Sequence, residues 1–427
     1  MEYIVDYLFD ALFFDAERWE KAIAKGKEKD IDKCELSKLC DPAVRSWLGC
    51  KIMNGEYKIA PPHMAKIPKD KPGEFRTVYV NEPLDRVLLS MINDLFMEKF
   101  GKDMIHESCK SYQSGIGCGK VVKEVVKHMN IDGVIVGWKS DLSKYFDSVK
   151  IDDIDDELDF IEFMYGESCI IDLVKAYYHQ DLCFDENGKL VEKYQSLKQG
   201  CAVASFLADT ILFAMDMELT ELAKKNGGYY CRYSDDCLYV GAGYEDAMKL
   251  MKAHLRQFGL KVNPKKIQYL RKDEWFKFLG FMIKGTEISL SASRVHKFQK
   301  EIEARTIKGN HSSKGAINSV NRYLYGGQYS WAAAVLPVIT VKHDIDEMNN
   351  FAMDCIRATI TGKKKVGQLK NVITGDYTIV RGHGKNVAAN RRKTPKEIDG
   401  YLSLGAARNV ILTNREAYDT VIRVLNV

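Results

Sequence analysis

Residues 229–242 read YYCRYSDDCLYVGA, two runs rich in Tyr, Leu and Val on either side of Ser234-Asp235-Asp236. Aromatic and β-branched residues favour strands, while Ser and Asp favour turns, so the stretch predicts a β-hairpin with two carboxylates at its tip. Adjacent carboxylates repel one another and call for a compensating cation. Mg²⁺ is a hard ion that takes oxygen ligands, typically one or two carboxylates plus phosphates. For the dipeptide alone, an ordinary Asp-containing turn is the competing reading.

The flanking sequence extends the pattern. Residues 133–146, GVIVGWKSDLSKYF, predict a strand that ends at Asp141, where a side chain can project from the sheet edge into a cleft. Residues 198–219, KQGCAVASFLADTILFAMDMEL, predict a helix. Residues 247–263 predict another, closed by Gly259 as its C-cap. Residues 275–290, WFKFLGFMIKGTEISL, predict a further hairpin. Upstream, residues 61–80 predict two strands around a turn at Lys71-Pro72-Gly73-Glu74, followed by a helix from Glu82 to about Phe100. Gly115-Ile116-Gly117-Cys118-Gly119 lacks the GxGxxG spacing of a dinucleotide loop and leads into a helix over Lys120–Met129. The order strand, helices, hairpin, helix, hairpin points to an α+β fold with helices on a mainly antiparallel sheet.

Composition narrows the class. The chain has 427 residues, 46% hydrophobic and 29% charged, which suits a soluble chain with a substantial core. No run of 18 apolar residues predicts a membrane span. The apolar N-terminus carries Glu2, Asp6, Asp10 and Asp15 and reads as an amphipathic helix, not a secretory leader. Eleven scattered cysteines with no CxxC pair predict reduced thiols in a cytoplasmic protein. From residue 361 onward, 13 Lys and Arg face 5 Asp and Glu, a surplus of 8 in a chain whose net charge is +4. Such asymmetry suits a nucleic-acid surface or a solvated face. The acidic run Asp152, Asp153, Asp155, Asp156, Glu157 and Asp159 reads as a solvated helix start, where acids suit the helix dipole.

Taken together, SDLSKYFDSV, QGCAVAS, YSDD, NPKK and FLGF occur in an order that resembles the palm of bacterial retroelement reverse transcriptases, over about residues 60–290. The resemblance implies a right-hand polymerase that uses two Mg²⁺ ions. Asp141, Asp235 and Asp236 would then form the acidic metal-binding set. Phe146 would be the steric gate beneath the incoming sugar. Gln199 and Gly200 would contact nucleotide and template, with Ser205 at the family's later serine. Tyr233 belongs to the YxDD box, Lys266 matches the proposed proton donor to pyrophosphate, and Leu279-Gly280 lies in the primer-grip hairpin. Lys69 and Arg76 bracket the fingers hairpin, and Arg76 is the choice for the triphosphate because a guanidinium fork matches phosphate oxygens. Each residue has a plainer reading: Phe146 as core, Lys266 as a solvated helix-end lysine, Gln199-Gly200 as a turn.

The implied organisation is an N-terminal helical extension over 1–60, fingers over 61–130, and a palm over 131–290 with 150–195 contributing to the fingers. A helical thumb over 291–360 and a basic extension over 361–427 follow. In the thumb, Tyr323, Tyr325, Tyr329 and Trp331 suit core packing better than base stacking. In the tail, Lys363, Lys364, Lys365, Arg391, Arg392 and Lys393 are expected to contact RNA phosphates. No room remains for a group II intron protein's extra module, and the retron Val-Thr-Gly element has only a displaced counterpart at Ile373-Thr374-Gly375. The resemblance points instead to the defence-associated enzymes, in particular the second class, which copy a structured noncoding RNA into cDNA from dNTPs. A retron-type enzyme, untemplated or protein-primed synthesis, and a catalytically silent RNA-binding scaffold are the alternatives.

Overall fold

The computed structural model describes residues 6–28, 37–69, 73–192, 196–309, 312–327, 330–361, 372–373, 379–380, 398 and 400–413. Helices alternate with short, mainly antiparallel sheets, the expected α+β architecture. In chain order the strands are β1 (His63–Pro68), β2 (Phe75–Val80), β3 (Gly137–Asp141), β4 (Leu182–Phe184), β5 (Leu190–Glu192), β6 (Tyr229–Tyr233), β7 (Asp236–Val240), β8 (Gln268–Leu270), β9 (Phe276–Phe278), β10 (Phe281–Lys284) and β11 (Glu287–Leu290). Two-residue strands follow at Val372–Ile373 and Ile379–Val380. The chain divides into two compact units: Met1–Gly115 with Gly137–Gln268, and Ile116–Val136 with Tyr269–Val427.

In the first unit, β7 lies between β6 and β3 and pairs antiparallel with both. Strand alternation sends Trp138 and Tyr239 to the same face, where their rings stack at 5.9 Å. The helix Pro83–Lys99 follows the predicted span and buries Val87, Leu88, Met91, Ile92, Leu95 and Phe96, the spacing of one helical face. A second sheet has the order β2-β1-β4-β5, with β1 and β2 paired from His63↔Val80 to Pro68↔Phe75. The N-terminal segment forms the helices Tyr7–Phe13, Ala16–Glu28 and Pro42–Met53. Asp6 caps the first of these and also accepts from Ser168 Oγ at 2.8 Å and the Cys169 amide at 2.9 Å, which ties this helix to the core. The acidic run opens the helix Ile151–Tyr165 as expected. Glu157 departs from the solvated reading, for burial pushes its carboxyl up to about 7.

The second unit corrects one expectation. Residues 275–290 form two consecutive hairpins, β9-β10-β11, because Leu279-Gly280 makes a first turn and Gly285 a second. Leu279 and Gly280 have φ of 47° and 79°, the left-handed pair that a two-residue hairpin turn requires. The helices Ala292–Arg305, Ser313–Tyr325, Trp331–Val335 and Lys342–Thr361 follow. Tyr325 is fully buried, its hydroxyl donating to the Leu402 carbonyl at 2.6 Å, which is the core role. Part of the C-terminal extension is core as well: the helix Leu404–Thr413 buries Leu404, Ala407 and Ile411. The helix after Gly117 spans Cys118–Lys127 and belongs to this unit. Among the described residues, every cysteine is a free thiol, and no helix is long and apolar enough to cross a membrane.

Candidate active site

Asp141 ends β3 directly opposite Asp236, the first residue of β7, which in turn pairs with Tyr233 at the end of β6. Ser234 and Asp235 form the tip of the hairpin, so Asp236 is held by the strand ladder and not by the turn. The Leu142 amide donates to the Asp235 carbonyl at 2.8 Å, and the Asn263 amide donates to the Asp141 carbonyl at 2.8 Å. Asn263 also caps the single turn Pro264–Lys266, and Lys266 Nζ reaches Asp141 Oδ2 at 2.6 Å. Five sequence-predicted residues, Asp141, Tyr233, Asp235, Asp236 and Lys266, are thereby brought together, with Lys266 on a partner the sequence did not suggest.

Burial pushes the Asp235 carboxyl up, and Asp141 adds to the rise, against Lys266 and Arg76. Burial, with Asp235 and Asp141 adding their repulsion, raises Asp236 to about 6. The site therefore concentrates negative charge that its own cations leave partly uncompensated. Among the described residues, no three His, Cys, Asp or Glu side chains close into a metal cage. Carboxylate oxygens beside one another, with one Asp141 oxygen held by a displaceable ammonium, fit hard divalent ions that draw the rest of their ligands from water and substrate phosphates.

Phe146 sits on the short helix Tyr145–Ser148, whose N-cap Lys144 adopts φ 49°. Tyr145 is buried, with its hydroxyl donating to the Ala208 carbonyl at 2.7 Å, and Phe146 is half-buried beside it. Phe146, Gln199, Gly200, Tyr112, Asn81 and Arg86 meet around a cavity of about 310 Å³. Gln199 and Gly200 dock on β2: the Tyr79 amide donates to the Gln199 carbonyl at 2.7 Å. Gly200 has φ 107°, and a Cβ there would lie 2.8 Å from the Tyr79 carbonyl oxygen, so only glycine fits. Ser205 lines the same cavity. Arg76 is exposed on β2, and its charge acts on Asp235. Lys69 is exposed at the end of β1 and is not among the charges acting on Asp235 or Asp236. Leu279 and Gly280 form the β9-β10 turn of the second unit. Lys363, Lys364, Lys365, Arg391, Arg392 and Lys393 lie outside the described residues, as does Tyr329.

Several residues at this site escaped the sequence reading. Among the described residues, the non-glycine positions with positive φ are Tyr112, Lys144, Ser234 and Leu279; the last three lie within the quoted motifs, and Tyr112 lies outside them. Such backbone costs about 1–3 kcal/mol and clusters at functional sites. Two of them touch, Tyr112 Oη to Ser234 Oγ at 3.3 Å. The Ser234 amide donates to Ser111 Oγ at 2.9 Å, and Ser111 donates to Asp209 at 2.6 Å. Beneath them Arg232 is wholly buried. The signal for that network was present: Asp209 and Asp216 are carboxylates in a mostly apolar run, and buried acids need a donor.

The family described as "Reverse transcriptase (RNA-dependent DNA polymerase)" matches residues 67–283, half of the chain. No curated protein sequence matches the chain as a relative. Among solved structures, apo telomerase from Candida tropicalis is 13% identical, with a TM-score of 0.47, covering 72% of this chain and 59% of that one. Telomerase from Candida albicans with a TWJ fragment of telomeric RNA is 12% identical, with a TM-score of 0.43, covering 74% and 61%. The chain thus spans about three-fifths of the length of these structures.

Proposed function

We propose that this chain, which belongs to the reverse transcriptase family, is an RNA-directed DNA polymerase, a nucleotidyltransferase that takes an RNA template, and that it copies a structured noncoding RNA into cDNA in the cytoplasm of a bacterium as part of antiphage defence. The observation that carries the catalytic reading is the placement of Asp141, Asp235 and Asp236 at one end of β3 and β7, with Lys266 against them. The defence reading rests on the resemblance of the whole chain, with its helical N-terminal segment and its surplus of positive charge beyond residue 361.

Reverse transcriptases use divalent metal ions, and Mg²⁺ is the ion proposed here, held by Asp141 and Asp235 with Asp236 completing the set. Bound there, it supplies an activated primer 3′-hydroxyl and charge neutralisation on the phosphates. The chain's own groups do the rest. Arg76 holds the triphosphate. Phe146 excludes a 2′-hydroxyl from the cavity it shares with Gln199 and Gly200, which seat the nucleotide against its template. Lys266, released from Asp141, donates its proton to the pyrophosphate oxygen as that oxygen's bond to the α-phosphorus breaks and the primer oxygen, its own proton passed to water, bonds to the α-phosphorus. Tyr233 and the Leu279-Gly280 turn bear on the primer, and the tail lysines and arginines bear on RNA phosphates. Sequencing the RNA and cDNA that co-purify with the protein tests the proposal. One recurring RNA with complementary cDNA is expected; cDNA with no complement in the bound RNA would replace templated copying with untemplated synthesis.

A further inference from the structure

The helix Cys118–Lys127 turns valines inward and lysines outward. Val121, Val122 and Val125 are fully buried, whereas Lys120, Lys123 and Lys127 are exposed. The three lysines stand at i, i+3 and i+7, one stripe of the helix. None has a carboxylate partner among the described residues. They line one side of a groove of about 670 Å³, with Arg294 also on its wall and Ala333 and Pro337 among its apolar lining. Glu124 is the one acid on that lining among the described residues, so four cations face one anion. The helix comes as near to Val338 as glycine permits, since a Cβ on Gly119 would lie 2.5 Å from Val338 Cγ2.

Arg294 links this groove to the β9-β10 turn. Its Nη2 donates to the Leu279 carbonyl at 3.1 Å, and its guanidinium lies 4.3 Å from the Phe281 ring centroid. A Cβ on Gly280 would stand 2.3 Å from Arg294 Nε, so the glycine is what lets the guanidinium seat against the turn. Unpaired lysines along one wall and an apolar surface on the other suit a sugar–phosphate backbone, with phosphates at the ammonium groups and sugars over the alanine and proline. An acidic peptide would satisfy the charges equally but would have no reason to lie beside this turn.

We infer that the groove lined by Lys120, Lys123, Lys127 and Arg294 seats the backbone of the primer strand. The inference rests on the proposed reading of Leu279-Gly280 as the primer-holding turn. The test compares the full-length protein with its Lys120→Gln/Lys123→Gln/Lys127→Gln variant in extension of a DNA primer annealed to an RNA template. The KM for primer–template should rise about tenfold or more, with the KM for dNTP within about twofold. The log–log salt slope of binding should shrink by roughly 0.9 for each phosphate that the variant no longer neutralises. Neutral methylphosphonate linkages in the upstream primer should bring the wild type to the variant's KM and leave the variant where it is. An active variant with wild-type KM and slope overturns the groove, as does a gap closed by methylphosphonates in the template strand instead. Stronger competition by polyglutamate than by an oligonucleotide also overturns it, in favour of a protein partner. A wild type that extends no primer overturns the polymerase reading itself, a result separate from failure of the groove.

Discussion

Arg232 and Asp216 form an ion pair with no solvent exposure on either side chain, Nη2 to Oδ2 at 2.7 Å and Nε to the two carboxylate oxygens at 3.0 and 2.9 Å. The remaining N–H groups donate to the carbonyls of Ala208, Asp209 and Ser234 at 3.1, 2.9 and 3.2 Å. Desolvation opposes the guanidinium charge, but the Asp216 carboxylate prevails and holds the arginine well above its ordinary value. One planar fork therefore joins the helices Ala204–Thr210 and Phe213–Lys225 to the turn that presents Asp235.

Removing one partner strands the other. Asp216→Leu should destabilise the protein by about 3–5 kcal/mol, because Arg232 would stay buried with only Asp209, 3.8 Å from its Nη1, left to oppose its charge. Arg232→Met with Asp216→Leu should cost clearly less than the two single changes added together. Denaturant unfolding of the four proteins measures the coupling, and strict additivity would show that the pair does not act as one unit. Arg232→Lys keeps the charge but loses the fork, so its primer extension should fall further than its stability.

Asp235 and Asp236 are held in place at an electrostatic cost, each pushed up by burial and by neighbouring carboxylates. Asp235→Ala with Asp236→Ala should abolish primer extension without lowering the melting temperature, since the change relieves repulsion and opens no core cavity. Substantial polymerisation by the purified double variant would remove both residues from the chemistry.

A pH test falls on Asp344 in the second unit, whose carboxylate accepts from the Ser289 hydroxyl. Burial raises it from the ordinary 3.8 to about 6; Glu347 and Glu287 push the same way, while Ser289 and His343 oppose. An acid with a higher pKa when folded binds more protons in the native state, so its stabilising effect is full below about 4 and is lost as pH rises through 6. Asp344→Asn removes that dependence. Wild type should lose on the order of 1–3 kcal/mol relative to the variant between pH 4 and 7. Urea unfolding at several pH values checks this, and a constant difference would mean that Asp344 ionises as it does in water.

What was legible in the sequence was local. Alternating apolar residues around Ser234-Asp235-Asp236 sufficed for β6 and β7, and the apolar run into Asp141 sufficed for β3. The pairing of Asp141 with Asp236 is a long-range register that neither segment encodes by itself. Leu279 at φ 47° hid the first turn of the β9-β10-β11 meander, because a leucine is not read as a left-handed residue. The helix Cys118–Lys127 lies far in sequence from the residues it packs against at Ala334 and Val338, so its membership in the second unit could not be read from its own pattern. Arg232 was the most readable of the missed residues, a cation enclosed by strand residues with an acid waiting in each of two neighbouring helices.

Phe146 poses the sharpest question, because the structure gives it both core and cavity faces. Its ring meets Tyr145 edge-on at 5.7 Å and packs against the hydrophobic core, while it also lines the cavity shared with Gln199 and Gly200. If the cavity face governs sugar selection, exclusion is steric, and Phe146→Val or Phe146→Ala should admit ribonucleotides while keeping some deoxynucleotide incorporation. Each ~1.4 kcal/mol of lost exclusion is tenfold in the ratio of kcat/KM for dNTP over rNTP. If the core face is all that matters, truncation opens a void instead. A fully buried Phe would lose about 3–5 kcal/mol on such truncation, and a half-buried one less. Both substrates would then decline together and the ratio would hold. The two ratios, measured beside a melting curve, separate the cases, and Phe146→Tyr adds a control that keeps the ring. A variant that melts early yet discriminates as the wild type does would return Phe146 to the core and leave the gate to another residue on the cavity wall.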